Sequence, residues 1–362
     1  MAIHTMIGRL LHSSRWLGKN FGQQNFSSIR SSSSSSGGGG KSKLYWLNLQ
    51  GCGLSALERL CLEEALLRHD PLERSWMMVG CHDPTYSTRL KYDSNDNNYD
   101  NNCVIVLGIG GKVDQLLHVD QVQQDDIFTI RRFSGGGTVL LDHSSLWTTI
   151  IGRNNDMTQV EPYPRNIMEY TAHSIFGPTF DQMNASLEQQ QSTKKTLVMT
   201  SPSCSGIQNV HTIQSNNTNT TDLPQFQLIE NDYVLNNTHK IGGNAQSIVK
   251  NGWLHHTSFL WDYDDETMKK YLKLPSKRPT YRQDRSHDQF LTKLSNFYGP
   301  NPNLFIQHIQ SSLTTNHQII PISLQQVMTE VFHSNNNNSH KINIGTFQHW
   351  FDTKCRTKII NV

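Results

Sequence analysis

Eight short runs rich in β-branched or aromatic residues follow one another along the chain, each bounded by Gly, Asn or Asp. They are "SWMMVG", "NCVIVLGIG", "IFTIRRFSG", "TVLLD", "SLWTTIIG", "NDYVL", "HKIGGNAQSIVK" and "WLHHTSFLWDY". Strands this short are unstable alone and need lateral partners, so the middle of the chain must build a sheet, largely from hairpin-like neighbours. Helical periodicity flanks and interrupts the series. "SALERLCLEEALLR" (55–68) carries apolar residues near i, i+3, i+4 spacing with Ser55 as its N-cap, which predicts an amphipathic helix. Further helices are expected at "PRNIMEYTAHSIF" (164–176), "DETMKKYL" (265–272) and in several stretches after 286, which makes the class α+β.

Three tracts of Asn, Gln, Ser and Thr interrupt this pattern, at 93–102, 184–222 and 333–340. Such tracts cannot bury enough apolar surface to offset their ordering entropy, so they are expected to be insertions. The amino-terminal region has a different chemistry. Residues 1–57 hold six basic residues (Arg9, Arg15, Lys19, Arg30, Lys41, Lys43), and no acid occurs before Glu58. "MIGRLLHSSRWLGKNF" can set Leu10, Leu11, Trp16 and Leu17 against basic positions on a helix, and a Ser/Gly block then acts as a flexible spacer. This is transit-peptide composition, with the mitochondrion as the expected destination and the plastid as the alternative. Taking those six from the 32 basic residues leaves 26 against 30 acids, a formal charge of −4 for residues 58–362. That balance gives no nucleic-acid footprint, and no apolar run approaches the ~18 residues of a membrane span. The six cysteines show no CxxC pair and read as reduced thiols. His255 and His256, adjacent on a strand, face opposite sides and cannot share a metal ion, so no resident metal is expected. The organisation expected is a targeting segment over 1–43, a catalytic domain over 44–290 and a helical extension over 291–362.

Two glycine-bearing stretches carry the chemistry. In "RRFSGGGTVLLD" (131–142), a glycine turn after a strand exposes backbone N–H groups with no Cβ in the way, a surface suited to an anion or a thin ligand chain. Arg131 and Arg132 alternate across the strand, so at least one is expected to point at whatever the loop binds. In "HKIGGNAQSIVK", Lys240 precedes Gly242, Gly243 and the small Ala245, and glycine within a strand marks close approach of a ligand or another backbone. A lysine beside such a cradle can hold a carboxylate and a phosphate together.

Together these stretches resemble the lipoate-protein ligase A family. Its RRxSGGGxVxxD motif is matched by Arg131, Arg132, Ser134, Gly135, Gly136, Gly137, Val139 and Asp142, and its KxxGxA motif by Lys240, Gly243 and Ala245. The resemblance runs from about Leu57 to about Leu291. It lacks the arginine-alternating GRGR-type loop of the sister biotin ligases. What it implies is a mixed, largely antiparallel sheet flanked by helices, the catalytic fold of biotin and lipoate ligases, here carrying Asn/Ser-rich insertions. It also implies a two-step reaction. ATP with Mg²⁺ activates the carboxylate of lipoate or octanoate as an acyl-adenylate, and a lysine of an apo lipoyl carrier domain, of the 2-oxoacid dehydrogenase E2 or glycine-cleavage H protein type, then takes the acyl group. Lys240 would stay protonated and offset charge on the carboxylate and α-phosphate. The glycine-motif residues, with Thr138, would line the acyl and nucleotide site. Seven buried CH₂ groups at ~0.8 kcal/mol each would contribute roughly 5–6 kcal/mol to binding, and the same slot would discriminate poorly between octanoate and lipoate.

The chain departs from the family pattern at Thr138, at Leu141 in place of His, and at Ser144 and Ser145 in place of Gly-Asn. Two other functions compete with ligation. One is an octanoyltransferase working through a cysteine thioester, for which Cys204 is the candidate, 36 positions from Lys240. The other is a non-catalytic acyl-binding homologue. The basic run with Lys277, Arg278, Arg282 and Arg285 is a candidate steering surface for an acidic carrier domain.

Overall fold

A computed structural model describes residues 41–82, 103–142, 145–199, 223–275, 278–332 and 347–362. Residues 1–40 of the targeting segment, the tracts at 93–102, 200–222 and 333–340, and Ser144, Cys204 and Lys277 lie outside the described residues.

Twelve strands are described: β1 (Ser42–Asn48), β2 (Trp76–Cys81), β3 (Val104–Leu107), β4 (Thr129–Arg131), β5 (Val139–Leu141), β6 (Leu146–Arg153), β7 (Phe226–Ile229), β8 (Asp232–Leu235), β9 (His239–Val249), β10 (Gly252–Phe259), β11 (His317–Pro321) and β12 (Lys358–Ile359). Eight form one sheet in the order β11-β1-β2-β6-β10-β9-β8-β7, and four a second in the order β12-β4-β3-β5. In the large sheet β1 pairs parallel with β11 and β2, and the remaining neighbours are antiparallel. This is the mixed, largely antiparallel α+β fold that the resemblance implies. The hairpin reading holds for β7 through β10. It fails for β1 and β2, which are parallel and joined by the helix Ala56–His69, as a parallel pair requires a crossover. It also fails for β4 and β5, since β3 lies between them.

The helix Ala56–His69 starts where its sequence predicts. Ser55 Oγ accepts from Glu58 N, and Ser55 N donates to Glu58 Oε2, closing a reciprocal capping box. It is not amphipathic, because eleven of its fourteen residues are buried, Arg59, Glu63 and Glu64 among them. One face packs on the sheet and the other is covered by the carboxy-terminal region. Trp350 and Phe347, from the helix Phe347–Lys354, are buried with Leu57, Leu60 and Leu66 in one apolar cluster. The opposite face of the large sheet is covered by Pro164–Thr171, a π-helical turn Ala172–Phe176, Gly177–Met199 and Asn303–Leu313.

Three expected boundaries change. Ser42 and Lys43 open β1 rather than close the targeting segment. Residues 184–199 continue a helix rather than begin an insertion, and Asn184 is held between Pro224 O and the Tyr298 hydroxyl. The region after 290 contributes β11, β12 and the fully buried Trp350 to the main body, so it is part of the domain and not an appended extension.

Candidate functional site

The glycine loop is placed by topology. β4 runs parallel to β3 and β5 antiparallel to it, so residues 132–138 must cross over the end of β3, where Gly108–Gly111 turn away. The two glycine-rich loops touch: Ile109 N donates to Ser134 O at 3.0 Å, and a Cβ at position 108 would collide with Gly136 O. The loop then lies on β9. Gly135 N donates to Gln246 O at 2.9 Å. Gly136 sits at φ +112, and a Cβ there would meet Asn244 O at 2.7 Å and Ala245 Cα at 3.0 Å. Only glycine satisfies both the torsion and the approach. Gly137 has open space where a side chain would be, and Thr138 Oγ1 is buried without a hydrogen-bond partner. Val139 faces β9 as well, its Cγ1 3.4 Å from where a Cβ of Gly243 would be.

Both arginines of the motif are builders of the loop. Arg132 is 4% exposed. Its Nε donates to Ser134 Oγ at 3.1 Å, its Nη1 to Val106 O at 3.3 Å, and its Nη2 to Gly135 O at 3.2 Å and Gly137 O at 2.7 Å. Burial, with Arg59 nearby, lowers its pKa to about 10, so it remains a cation at neutral pH. Arg131 Nη1 reaches Gly111 O at 2.6 Å and the carbonyls of Gly108 and Ile109. Arg132 and the Nη1 group of Arg131 thus serve oxygens in and beside the crossing loop, most of them carbonyls that need donors. Ser134 is likewise buried in this clasp. Asp142 stands apart from the loop. Its carboxylate accepts from Ser145 Oγ at 3.1 Å and from Asp264 N at 3.3 Å, fixing the start of the helix Asp265–Tyr271.

Lys240 is brought to the loop's side of β9 by a bulge. Tyr233 of β8 pairs with Gly242 and Val234 with Lys240, so Ile241 is the extra residue. Ile241 and Tyr233 are buried together on the helix-covered face. Asp232, next to Tyr233, and Lys240, next to Ile241, face the other way and meet at 2.7 Å. Strict alternation would set positions 240 and 243 on opposite faces. The bulge gives Lys240, Gly243 and Ala245 a common one. Asp232 Oδ2 also accepts from the Tyr281 hydroxyl at 2.9 Å, and Lys240 remains a quarter exposed.

The expected steering run is mostly spent on structure. Arg282 lies over the Phe290 ring at 4.5 Å and Arg285 at 5.2 Å, and Arg285 donates to the carbonyls of Thr238, Tyr281 and Arg282. Arg282 is 4% exposed, and its Nη2 is buried without a partner. Cationic surroundings show in His287, which burial first, then Arg282 and Lys240, push down to about 4.

The structure adds a group that sequence reading missed. Beneath the loop, Glu63, fully buried, accepts from Thr149 Oγ1 at 2.9 Å and Arg59 Nη1 at 3.1 Å, and its Oε2 lies 2.8 Å from His256 Nδ1. Burial pushes Glu63 upward, yet the Arg59 guanidinium and the hydrogen bond from Thr149, with the His256 ring alongside, outweigh it and hold the carboxyl below its ordinary range. Burial, reinforced by Arg132 and Arg59, overrides Glu63 at His256 and holds the imidazole neutral. Nδ1 lies between Glu63 Oε2 and Thr149 Oγ1, 3.2 Å away, and Nε2 is buried without a hydrogen-bond partner. His256 pairs across strands with Ala245, which touches Gly136, and its ring meets Phe133 edge-on. His255 faces the opposite side, as alternation predicts, and bonds Tyr233 and Gln246. A signal existed for Glu63: two acids inside "LCLEEALL" are costly to bury unless paired.

Residues 97–317, more than half of the chain, match the family described as the lipoyl protein ligase A/B catalytic domain. The chain belongs to that family. A Plasmodium falciparum protein named inactive lipoate–protein ligase 2 is 27% identical over 227 residues, 58% of this chain and 53% of its own length. The chain thus spans about half the length of that curated relative. Among solved structures, a bipartite lipoate protein ligase from an archaeal lipoylation system of Thermoplasma acidophilum shares 14% identity at a TM-score of 0.49, over 79% of this chain and 89% of that one. A P. falciparum ligase in complex with lipoate shares 15% at 0.46, over 80% and 68%. A lipoate-protein ligase A bound with ATP shares 14% at 0.46, over 79% and 91%. The matched stretch of this family member starts before β3 and ends at β11. Glu63, on the first helix, and the β12 strap lie outside it.

Proposed function

We propose that this chain activates the carboxylate of lipoate or octanoate with ATP and passes the acyl group to a lysine of an apo lipoyl carrier domain of the E2 or H-protein type. The observation that carries the reading is the seating of the glycine loop on β9, with Lys240 turned to the same face by the Ile241 bulge. On this reading Gly136 and Gly137 admit the acyl-adenylate backbone, and Thr138 Oγ1 supplies a hydrogen bond that the protein leaves unmade. Val139, Phe133 and Ala245 offer apolar surface to the acyl chain. Lys240 exchanges its Asp232 partner for the substrate carboxylate and α-phosphate, and Arg282 Nη2 reinforces the positive field. Among the described residues no group of three or more His, Cys, Asp or Glu is arranged to hold a metal ion. Mg²⁺ is proposed to arrive on the phosphates of ATP. In the second step the carrier amine attacks the acyl carbon, a C–N bond forms and the C–O bond to AMP breaks.

A second reading, an acyl-binding homologue without adenylation, is supported by the occupied Lys240–Asp232 pair and by the name of the Plasmodium relative. The experiment that separates them incubates the full chain with an apo carrier domain, each acid, and ATP with Mg²⁺, and weighs the carrier. The ligase reading expects one added acyl group, only with ATP. Modification from an acyl-carrier donor without ATP supports a cysteine transferase instead, and an unchanged carrier under all conditions supports the binder. We extend the proposal to the mitochondrion on the composition of residues 1–43. A reporter bearing that segment is expected in the organelle, and a cytosolic reporter removes this part.

A further inference from the structure

The carboxy-terminal strap and the first helix meet through sulfur. Cys355 Sγ lies 3.2 Å from Cys61 Sγ. Cys61 is fully buried in the helix Ala56–His69, while Cys355 is half-buried just after the helix Phe347–Lys354. Cys61 is out of reach of an external reagent because it is fully buried, burial also raises its thiol well above its ordinary range, and the one sulfur it can meet is that of its neighbour. Fully buried Glu64 anchors the strap just beyond Cys355. It accepts from Arg356 N at 3.1 Å, Thr357 N at 3.1 Å and Thr357 Oγ1 at 3.1 Å, and Cys355 Sγ lies 3.4 Å from it. From there the strap runs along the strand that feeds the glycine loop. Thr357 Oγ1 accepts from Phe133 N at 3.3 Å, Lys358 pairs with Arg131 and Ile359 with Ile130, and Ile360 N donates to Thr129 O at 3.0 Å.

We propose that Cys61 and Cys355 form a dithiol that small disulfides such as oxidised glutathione convert into an intramolecular disulfide, locking the carboxy-terminal strap against β4 and the first helix. A covalent bond needs the sulfurs to close from 3.2 Å to ~2.05 Å, a shift within reach of side-chain rotation and a small movement of the irregular backbone at Cys355. The Cys355 thiolate attacks one sulfur of the glutathione disulfide, and one glutathione leaves. The Cys61 sulfur then attacks Cys355 Sγ of the mixed disulfide; the new S–S bond forms, the bond to glutathione breaks, and the second glutathione leaves as the thiol, taking the Cys61 proton. Two protein thiols are oxidised and one disulfide is reduced to two thiols. The link would close a span of 294 residues, so its main effect is to stop the strap from opening independently. The dithiol is independent of which acyl group the enzyme takes.

The test equilibrates the folded full chain across a series of oxidised-to-reduced glutathione ratios, quenches with an alkylating agent and digests without reduction. The expected result is a linked peptide pair containing Cys61 and Cys355, loss of two hydrogen atoms from the intact mass, and amide exchange at Thr357 and Ile360 slowed at least ~10-fold. Cys355→Ser should abolish the link, and Cys81→Ser should leave it intact. Stable glutathionylation of Cys355 with Cys61 still reduced would overturn the proposal. So would a fully reduced pair at every ratio, or links scattered over Cys52, Cys81 and Cys103.

Discussion

Replacing Gly136 with alanine tests the seating of the loop at its tightest point. The residue sits at φ +112, beyond the +48 to +62 range of the described non-glycine residues with positive φ, so an L-side chain there is strained whatever the space. That strain costs ~1–3 kcal/mol. The new methyl would also lie 2.7 Å from Asn244 O and 3.0 Å from Ala245 Cα and Cβ, backbone-side atoms of a paired strand that cannot swing aside. Overpacking of this kind costs a further ~1–3 kcal/mol. The loop can escape by lifting from β9, but that gives up Gly135 N to Gln246 O, ~0.5–1.5 kcal/mol, and loosens the Arg132 clasp. Relaxation therefore limits the loss to about 2–3 kcal/mol, and urea unfolding should show it as a lower midpoint with unchanged slope. Gly137→Ala is the control, because nothing lies within 4 Å of its missing Cβ and its change should stay within ~0.5 kcal/mol. Equal stabilities for the two variants, or a costly Gly137→Ala, would refute the account of the loop.

Tyr281→Phe removes the hydroxyl that holds Asp232 Oδ2, a half-buried bond to a carboxylate whose other oxygen holds Lys240. A loss near ~1 kcal/mol corresponds to a roughly 5-fold fall in adenylation rate with KM for the acid little changed, and an unaltered rate would show that Tyr281 does not position the lysine. His255, fully buried, has its pKa lowered to about 3 by burial first and His256 second. The unfolded chain binds its proton from about pH 6.5 downward while the folded one does not, so this residue's contribution is intact above pH 6.5 and erodes as pH falls toward 3. At pH 5 the loss is about 2 kcal/mol. Unfolding free energies at pH 7 and pH 5 should differ by about that much more in the native chain than in His255→Gln, and parallel values would contradict the assignment.

What was legible in the sequence was local. Ser55 announced the first helix, short β-branched runs announced β2 through β6 and β8 through β10, and the two glycine motifs marked the loop and strand that meet. What was not legible depended on distant partners. Arg131 and Arg132 look like ligand cations until β3 is found between β4 and β5, which leaves loop carbonyls in need of donors. Lys240 and Gly243 lie an odd number of residues apart, so the face of the lysine could not be known without the bulge at Ile241. Glu63 and Glu64 went unremarked because their partners, His256 and the backbone at 356–357, lie some 190 and 290 positions away. The carboxy-terminal strands are too short and too polar to register as strands before β4 and β1 offer them an edge.

The central claim is that Lys240 and the glycine loop together stabilise formation of an acyl-adenylate. Its most direct measurement is pyrophosphate release by the full chain with ATP, Mg²⁺ and octanoate or lipoate, compared with Lys240→Met. The account predicts acid-dependent release by the native chain and its loss, by ~100-fold or more, in the variant while acyl binding is retained. No acid-dependent release from folded native protein, or equal release from Lys240→Met, would contradict it.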